Sequence, residues 1–332
     1  MSKKGKADEI WKFILEARNI LLTTHVRPDG DGIASELALL RILKSQNKHV
    51  CVFNQDKTPD MYAWLPGAEQ IYTIEEGIEP SIDTLDLVIL LDCASRERIG
   101  VVSERIQHAG RIISLDHHED SECPHHGCYV DTEVSSIGEL FFSLIPDIEE
   151  HLDRDIATCI YVSILTDTGS FAFANTTKKV FRIVSSLLNY GVEPDYAHQM
   201  IYNQRSIQHF RLLGKALERL QVDCSGSIVS VLLPMSVYGE TGASNEDNEG
   251  ILEVIRGLKN CRLIIMLRQL DEHRVKGSLR STNNVNCNYL AKLFGGGGHL
   301  KASGFVVNGD VNEIGLSIVE KICSEVKGKG WV

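Results

Sequence analysis

Long hydrophobic runs are absent from this sequence of 332 residues. The longest uninterrupted aliphatic run is Leu87–Leu91, far short of the roughly 18 residues that a membrane-spanning helix requires. The first ten residues are basic and lack the apolar stretch of a secretory signal. We therefore expect a cytoplasmic protein without a membrane segment.

Cysteine is scattered rather than patterned, with nine residues at no repeating spacing. In a chain without an export signal, reduced thiols are more typical than a disulfide framework. One short segment, CPHHGC from Cys123 to Cys128, combines two cysteines with two histidines. Structural zinc sites usually spread their ligand pairs further apart, so we interpret this segment as a loop. Metal binding by it stays an open alternative.

Basic residues are outnumbered by acidic ones, 34 to 45, so the formal net charge is -11. This balance argues against a protein that coats long duplex nucleic acid, which requires a broad basic face. The charge is uneven: the part from Ser225 onward carries a net +1, and the preceding part carries -12. This asymmetry suits one domain that collects cations and another that meets an anion.

Apolar residues are present in the proportion that a globular core needs, at 43% of the chain, and the length suggests two domains. In the first part, apolar runs at Ile20–Thr24, Lys48–Phe53, Leu87–Leu91 and Arg111–Leu115 predict strands. Helical spacing of apolar residues in Ile33–Ser45 predicts a helix between the first two. Strands that alternate with helices predict a mostly parallel sheet with helical crossovers.

The later part of the chain predicts a smaller α/β domain. A polar-rich helical stretch from about residue 194 to 220 suggests a connector, and apolar alternation resumes at Ser227. We expect a larger α/β domain with a mostly parallel sheet, followed by a smaller α/β domain. The predicted boundaries are residues 1–190 for the first domain, 191–224 for the helical connector and 225–332 for the second domain.

Three candidate metal ligands follow the first predicted strand. In the segment THVRPDGD (residues 24–31), His25, Asp29 and Asp31 lie between a strand and a helix. Ligands bind at this carboxyl edge in open α/β sheets. The alternative is a plain loop turn with solvated carboxylates. A calcium EF-hand is excluded, because its twelfth position requires Glu and is Leu40 here.

The same pattern recurs further along the chain. Asp92 follows the strand at residues 87–91, and the triplet Asp116, His117 and His118 ends the next strand. Asp167 follows an apolar helix. So many acids repel one another unless cations lie among them. Carboxylates and imidazoles without thiolates suit hard or borderline cations such as manganese or magnesium.

Two features near the carboxyl end favour an anion. The glycine run Gly295–Gly298 and His299 lie between a predicted helix and an apolar strand, where successive backbone N–H groups can form an anion nest. A flexible linker is the alternative. Arg280 is the second feature, because the arginine fork forms paired hydrogen bonds with phosphate. The alternative is a surface arginine at a strand end.

Taken in order, these segments resemble the motifs of the DHH phosphoesterases with a carboxyl-terminal DHH-associated domain. Further matching segments are SSIGEL (residues 135–140), NTT (residues 175–177), GGGGH (residues 295–299) and ASGF (residues 302–305). The resemblance covers nearly the whole chain, and the length is similar to that of the stand-alone nanoRNase and pAp phosphatase branch. One departure is Ala34-Ser35, where the family usually has Gly-Ser.

The resemblance implies a centre of two manganese ions, with magnesium as the alternative. The implied ligands of the first ion are His25, Asp29 and Asp92. The implied ligands of the second ion are Asp31, Asp92, His117 and Asp167, with Asp92 bridging. The implied catalytic residues are Asp92, His118, which faces the scissile phosphate, and Asp116, which orients a histidine. The implied substrate-binding residues are Arg280, Ser281, Gly296, Gly297, Gly298 and His299. The family places this active site in the cleft between the two domains.

The activity implied by the resemblance is hydrolysis of short oligoribonucleotides (nanoRNA) and of 3'-phosphoadenosine 5'-phosphate (pAp) through a metal-activated water. The expected partners are a short RNA or nucleotide and no long duplex, and a homodimer is left open. A phosphodiesterase of cyclic di-AMP or pApA is an alternative that needs the same residues. A non-catalytic nucleotide-binding protein is a third, less favoured because no metal ligand is missing.

Overall fold

The computed structural model describes residues 3–77, 80, 84–118, 127–223, 226–282, 284–298 and 300–331. The chain divides into two compact units, residues 1–204 and residues 205–332. No helix within the described ranges is both long enough and apolar enough to cross a membrane.

The amino-terminal unit contains a six-stranded parallel sheet. Its strands are β1 (Asn19–Thr24), β2 (His49–Asn54), β3 (Ile71–Thr73), β4 (Leu87–Leu91), β5 (Arg111–Asp116) and β6 (Gly127–Val130). Their order is β3-β2-β1-β4-β5-β6, and every neighbouring pair is parallel. The strand order reverses between β1 and β4, and ligands of open α/β sheets bind beside such a point, at the carboxyl ends of the strands.

Helices cover the sheet of this unit. They are α1 (Lys3–Glu16), α2 (Gly30–Ser45), α3 (Val102–Arg105), α4 (Ile137–Leu144), α5 (Arg154–Asp167), α6 (Lys178–Leu188) and α7 (Pro194–Tyr202). Ile20 and Leu22 of β1 join a large core with α2 and α5, while Leu21 joins a second cluster that includes Val102 of α3. Because both faces of the sheet are buried, the sequences of these strands are continuous apolar runs.

The carboxyl-terminal unit is built around a mixed sheet. Its strands are β7 (Gln221–Asp223), β8 (Ile228–Leu233), β9 (Leu263–Asp271), β10 (Arg274–Ser281), β11 (Gly297–Gly298) and β12 (Ala302–Asn308). Its helices are α8 (Ile207–Glu218), α9 (Met235–Thr241), α10 (Ile251–Arg256), α11 (Cys287–Lys292) and α12 (Val311–Gly328). The order is β11-β12-β10-β9-β8-β7, in which β8 and β9 are parallel and the other pairs antiparallel. The predicted class, two α/β domains with the larger parallel sheet first, is confirmed.

Most cysteines of the described residues form no disulfide. Their buried thiols are those of Cys51, Cys93, Cys159, Cys261, Cys287 and Cys323. Cys128 is disulfide-bonded, so the prediction of reduced thiols is wrong at this residue. The segment with two cysteines and two histidines lies outside the described residues, apart from Gly127 and Cys128.

Candidate metal centre

The carboxyl edge of the parallel sheet and the end of α5 bring the predicted metal ligands together. Three overlapping groups have one ligand atom from each member within 4.8 Å of the others. They are His25, Asp29 and Asp92; Asp31, His117 and Asp167; and Asp92, His117 and His118. All six predicted metal ligands and His118 therefore lie in one cluster within the amino-terminal unit.

His25 follows β1 and presents one ring nitrogen to this cluster. Its Nε2 lies 3.3 Å from Asp92 Oδ2 and 3.8 Å from Asp29 Oδ2. Its Nδ1 lies 3.0 Å from the carbonyl oxygen of Val26. A proton on Nδ1 donates to that carbonyl and leaves the Nε2 lone pair for a cation, the arrangement usual for metal-binding histidines.

The amino end of α2 carries two carboxylates in different environments. Asp29 caps the helix, because its Oδ1 accepts from the backbone N–H groups of Asp31 and Gly32, both at 3.1 Å. Asp31 is fully buried and accepts a hydrogen bond from the Ile137 backbone N–H at 2.9 Å. The Ser163 hydroxyl also donates to Asp31. Both carboxylates are therefore held by hydrogen bonds before any cation binds.

Asp92 belongs to two of the three ligand groups and lies beside His117 of the third. It follows β4 with a left-handed φ of 58°, which is costly for a residue other than glycine and is typical of functional positions. Its Oδ1 lies 3.3 Å from His117 Nε2, and its Oδ2 lies 3.3 Å from His25 Nε2. The two oxygens of one buried carboxylate thus face separate ligand groups, as a bridging ligand must.

The three residues at the end of β5 and directly after it, Asp116, His117 and His118, make different contacts. The buried Asp116 Oδ1 accepts from the backbone N–H groups of His117, at 2.8 Å, and His118, at 3.3 Å. The same oxygen lies 2.8 Å from His118 Nδ1 and so fixes that ring. His117 Nε2 lies 3.0 Å from Asp167 Oδ2. Asp116 therefore belongs to none of the three ligand groups itself, and it orients the His118 ring through Nδ1.

The pKa values in this cluster reflect crowded negative charge. Burial, and then Asp92 and Asp167, raise the pKa of Asp31 well above its usual range. Burial opposes a charge on His117, but the carboxylates of Asp167 and Asp92 outweigh it and raise the pKa of His117 to about 11. Burial also opposes a charge on His25, but Asp92 outweighs it and raises the pKa of His25 to about 9. Protons on the histidines thus offset the acids, and a divalent cation would take over that task.

Two atoms of the cluster fit a cation especially well. Asp92 Oδ1 and His117 Nε2 are buried and, although they lie 3.3 Å apart, neither forms a hydrogen bond of good geometry among the described residues. Buried polar atoms without partners are rare and require an explanation. Both atoms are members of the ligand groups, and the donor set of carboxylate oxygens and imidazole nitrogens suits manganese or magnesium. The residues present therefore fit a divalent metal.

The predicted phosphate-binding pair lies at the end of β10 in the carboxyl-terminal unit. The Arg280 side chain is 33% exposed, and its Nε lies 3.5 Å from Glu253 Oε1. Ser281 is buried, and its hydroxyl donates to the carbonyl of Val285 at 2.7 Å. The Arg280 guanidinium is partly accessible, but it lies beside Glu253 and donates to the carbonyl of Leu279 at 3.2 Å, so an anion would have to compete with these partners. The Ser281 hydroxyl stabilises the local chain.

The glycine run packs against β12. A Cβ at Gly296 would lie 2.2 Å from the carbonyl oxygen of Gly304, so only glycine fits there. Gly297 and Gly298 pair with β12 as β11. Close packing thus accounts for part of the glycine pattern. His299 lies outside the described residues.

Two contacts of the centre were not anticipated from the sequence. The Ser163 hydroxyl donates to Asp31, and the side-chain amide of Asn175 donates to the carbonyl of Asp167 at 3.0 Å. A signal for Ser163 existed, because a polar residue four positions before Asp167 lies on the same helix face. Asn175 belongs to the NTT segment, but its spacing does not indicate a backbone contact.

Comparison with known proteins agrees with this geometry. The model of the DHH family N-terminal domain matches residues 19–164, and that of the DHHA1 domain matches residues 226–330. A protein of Thermus thermophilus named bifunctional oligoribonuclease and PAP phosphatase NrnA is 31% identical over 316 residues, which cover 94% of this chain and 92% of that protein. Its namesake in Bacillus subtilis is 28% identical over 313 residues, which cover 92% and 95%.

A solved structure also matches the chain over nearly its full length. The crystal structure of an exopolyphosphatase-related protein from Bacteroides fragilis has a TM-score of 0.90 and 31% identity, and the match covers 98% of this chain and 97% of that one. The order of the ligand-bearing elements, the two matched domains and the full-length relatives point to one conclusion. This chain belongs to the DHH family of metal-dependent phosphoesterases and carries a DHHA1 domain.

Proposed function

We propose that this protein is a manganese-dependent phosphoesterase that hydrolyses short oligoribonucleotides and pAp. The observation that carries the proposal is the Asp92 carboxylate, whose two oxygens face separate ligand groups. A carboxylate shared between two cation sites is typical of centres that hydrolyse phosphoesters with two ions. The two relatives named NrnA support the substrate class.

The ligand groups divide naturally between two ions. His25, Asp29 and Asp92 would hold the first, and Asp31, Asp92, His117 and Asp167 would hold the second. Imidazole ligands favour manganese over magnesium, which prefers oxygen ligands and water. When bound, the ions would supply Lewis acidity to the phosphate oxygens and lower the pKa of a water molecule.

His118 is suited to hold a proton at the phosphate. The hydrogen bond with Asp116 raises the pKa of His118 and fixes the proton on Nδ1. The ring is partly exposed, at 25%, so a protonated Nε2 is able to donate to a phosphate oxygen. Such a donor stabilises the charge that develops on phosphate during hydrolysis.

Arg280 is the best candidate for recognition of a terminal phosphate. Its guanidinium is accessible and forms a planar fork that matches phosphate oxygens. Recognition of one terminal phosphate by a chain of net charge -11 suits short substrates, because long single strands need an extended basic track. We therefore assign terminal phosphate recognition to this residue.

The test is a substrate panel in the presence of Mn²⁺. The substrates are pAp, a diribonucleotide, an RNA of about 24 nucleotides, pApA and cyclic di-AMP. We expect turnover of pAp and the dinucleotide with kcat/KM at least about tenfold above that of the long RNA. Asp92→Asn should lower kcat by about 1,000-fold or more, because a neutral amide with one oxygen replaces the anionic carboxylate proposed to serve both ions.

The matched control is Asp8→Asn, which changes an exposed aspartate of α1 and should leave turnover unchanged. A clear preference for cyclic di-AMP would contradict the proposed substrates and favour turnover of a cyclic dinucleotide. Binding of nucleotides without hydrolysis of any substrate would contradict the proposed activity as a whole.

A further inference from the structure

Asp31 is the most deeply buried of the predicted ligands. Its side chain is 0% exposed, compared with 2% for Asp92 and 25% for Asp167. A carboxylate in such a place costs several kcal/mol unless hydrogen bonds replace the lost water. The structure must therefore hold Asp31 with protein donors whether or not a cation is present.

Ser163 of α5 is one of those donors. Its hydroxyl donates to Asp31 Oδ1 and accepts a hydrogen bond from the Gly138 backbone N–H at 2.7 Å. The neighbouring Ile137 N–H donates to Asp31 Oδ2 at 2.9 Å. The first turn of α4 and one hydroxyl of α5 thus fix the carboxylate of α2, and Ser163 is itself fully buried.

Gly138 leaves room for this serine. A Cβ at Gly138 would lie 2.4 Å from Ser163 Oγ, so any larger residue would displace the hydroxyl. Ser163 Oγ donates to the predicted ligand Asp31 rather than to a carbonyl of its own helix, and it accepts from the first turn of α4. A serine that served only its own helix would donate to a carbonyl three or four residues earlier, as Ser143 does to Leu140.

We propose that Ser163 is a positioning residue that sets the affinity of one of the two ions, the one held by Asp31, His117 and Asp167. This inference rests on the two-ion function proposed above. The selectivity follows from the contacts, because among the described residues Asp31 is the one predicted ligand whose side chain the Ser163 hydroxyl contacts. His25 is fixed by its own loop, and Asp29 by its helix cap.

The test is a titration of the metal-free protein with Mn²⁺ by calorimetry, with electron paramagnetic resonance to follow coupling between paired ions. Loss of a hydrogen bond to a metal ligand typically costs 10- to 100-fold in metal affinity. We expect Ser163→Ala to weaken one of two binding steps by about that factor and to leave the other within about twofold. The signal of coupled ions should appear only at higher Mn²⁺.

Two further variants separate positioning from folding. Ser163→Cys keeps a side chain of similar size with a weaker donor, and should give an intermediate loss in the same step. Gly138→Ala keeps the serine but displaces its hydroxyl, and should weaken the same step. Ser114→Ala is the control, because Ser114 is equally buried and its hydroxyl contacts only the carbonyl of Ala94. Should Ser163→Ala not fold, Ser163→Cys carries the test.

The outcomes distinguish this inference from the proposed function. Wild-type protein that binds fewer than two Mn²⁺ ions would overturn the two-ion function. Wild-type protein that binds two ions, with both steps unchanged in the Ser163 and Gly138 variants, would overturn only the role of Ser163. Equal weakening of both steps would also contradict it, since a general disturbance of the fold would then explain the loss.

Discussion

Glu36 is a buried carboxyl that the metal ligands do not include. Its side chain is 0% exposed, its Oε2 accepts from the Asn54 side-chain amide at 2.8 Å, and its Oε1 has no hydrogen-bond partner among the described residues. Burial raises the pKa of Glu36 to about 8. Asn54 in turn accepts from the backbone N–H of Thr24, directly before His25. A neutral Glu36 therefore supports the end of the strand that delivers a ligand.

This burial predicts a pH dependence of stability. Between the usual pKa of 4.5 and about 8, the folded state holds a proton that the unfolded state has lost. The contribution of Glu36 is therefore fully present below about pH 4.5 and declines as the pH rises, by at most about 1.4 kcal/mol per unit. Glu36→Gln should remove this slope, so the variant gains stability relative to wild type toward pH 8.

The measurement is urea unfolding of metal-free wild type and variant between about pH 5 and pH 8. The difference between the free energies of unfolding of wild type and variant is taken at each pH. In this difference the contributions of the titratable groups that both proteins share cancel. Glu9→Gln, an exposed substitution in α1, should give a flat difference. A difference for Glu36→Gln that is equally flat would refute the buried, protonated state of this carboxyl.

At the scale of elements, α2 and α5 approach each other closely beside the metal centre. A Cβ at Gly30 would lie 2.4 Å from Thr166 Cγ2. Asp31 directly follows Gly30, and Asp167 directly follows Thr166. Because Gly30 has no side chain, α2 and α5 can approach closely at this point. This close approach sets the separation of the predicted ligands Asp31 and Asp167.

This contact predicts a coupled pair of substitutions. Gly30→Ala should lower the free energy of unfolding by about 1 to 3 kcal/mol through overpacking, and should weaken Mn²⁺ binding. Thr166→Ala removes the two atoms closest to the new Cβ and should restore part of both losses in the double variant. The measurement is a double-mutant cycle with thermal unfolding and Mn²⁺ titration. Strictly additive effects would mean that the two helices do not compete for this space.

The sequence predicts some elements well because one force dominates them. Strands such as Leu87–Leu91 are buried on both faces, so their apolar runs are unmistakable, and their ends locate Asp92 and its neighbours. The sequence does not predict α1, because the basic residues of its first turn obscure the helical spacing of Ala7, Ile10 and Ile14. The contact of Ser163 with Asp31 depends on how three helices pack, which no local pattern encodes.

At the scale of the whole molecule, the acidic charge and the metal centre coincide. The part of the chain before Ser225 carries a net -12, and the described ligand groups all belong to residues 1–204. Four of the ligands are carboxylates, three of them largely buried, and they repel one another in the absence of cations. The folded state of the amino-terminal unit should therefore bind metal far better than the unfolded chain does.

This difference predicts stabilisation by metal. A ligand that binds only the folded state adds about 2.7 kcal/mol when its free concentration is 100 times Kd. Mn²⁺ should therefore raise the unfolding temperature of wild type, and a chelator should reverse the gain. Differential scanning calorimetry tests this, with Asp92→Asn as the variant that should lose most of the effect. An equal gain in that variant would place the metal at another site.

The position of the ligands along the chain has a consequence for biosynthesis. The strands that carry His25, Asp92 and His117 leave the ribosome before α5, which supplies Ser163 and Asp167. Until α5 emerges, Asp31 lacks its hydroxyl donor and the second ligand group lacks one member. A nascent chain therefore cannot use the complete centre to guide the assembly of its sheet, because the second ligand group is completed only after α5 has packed.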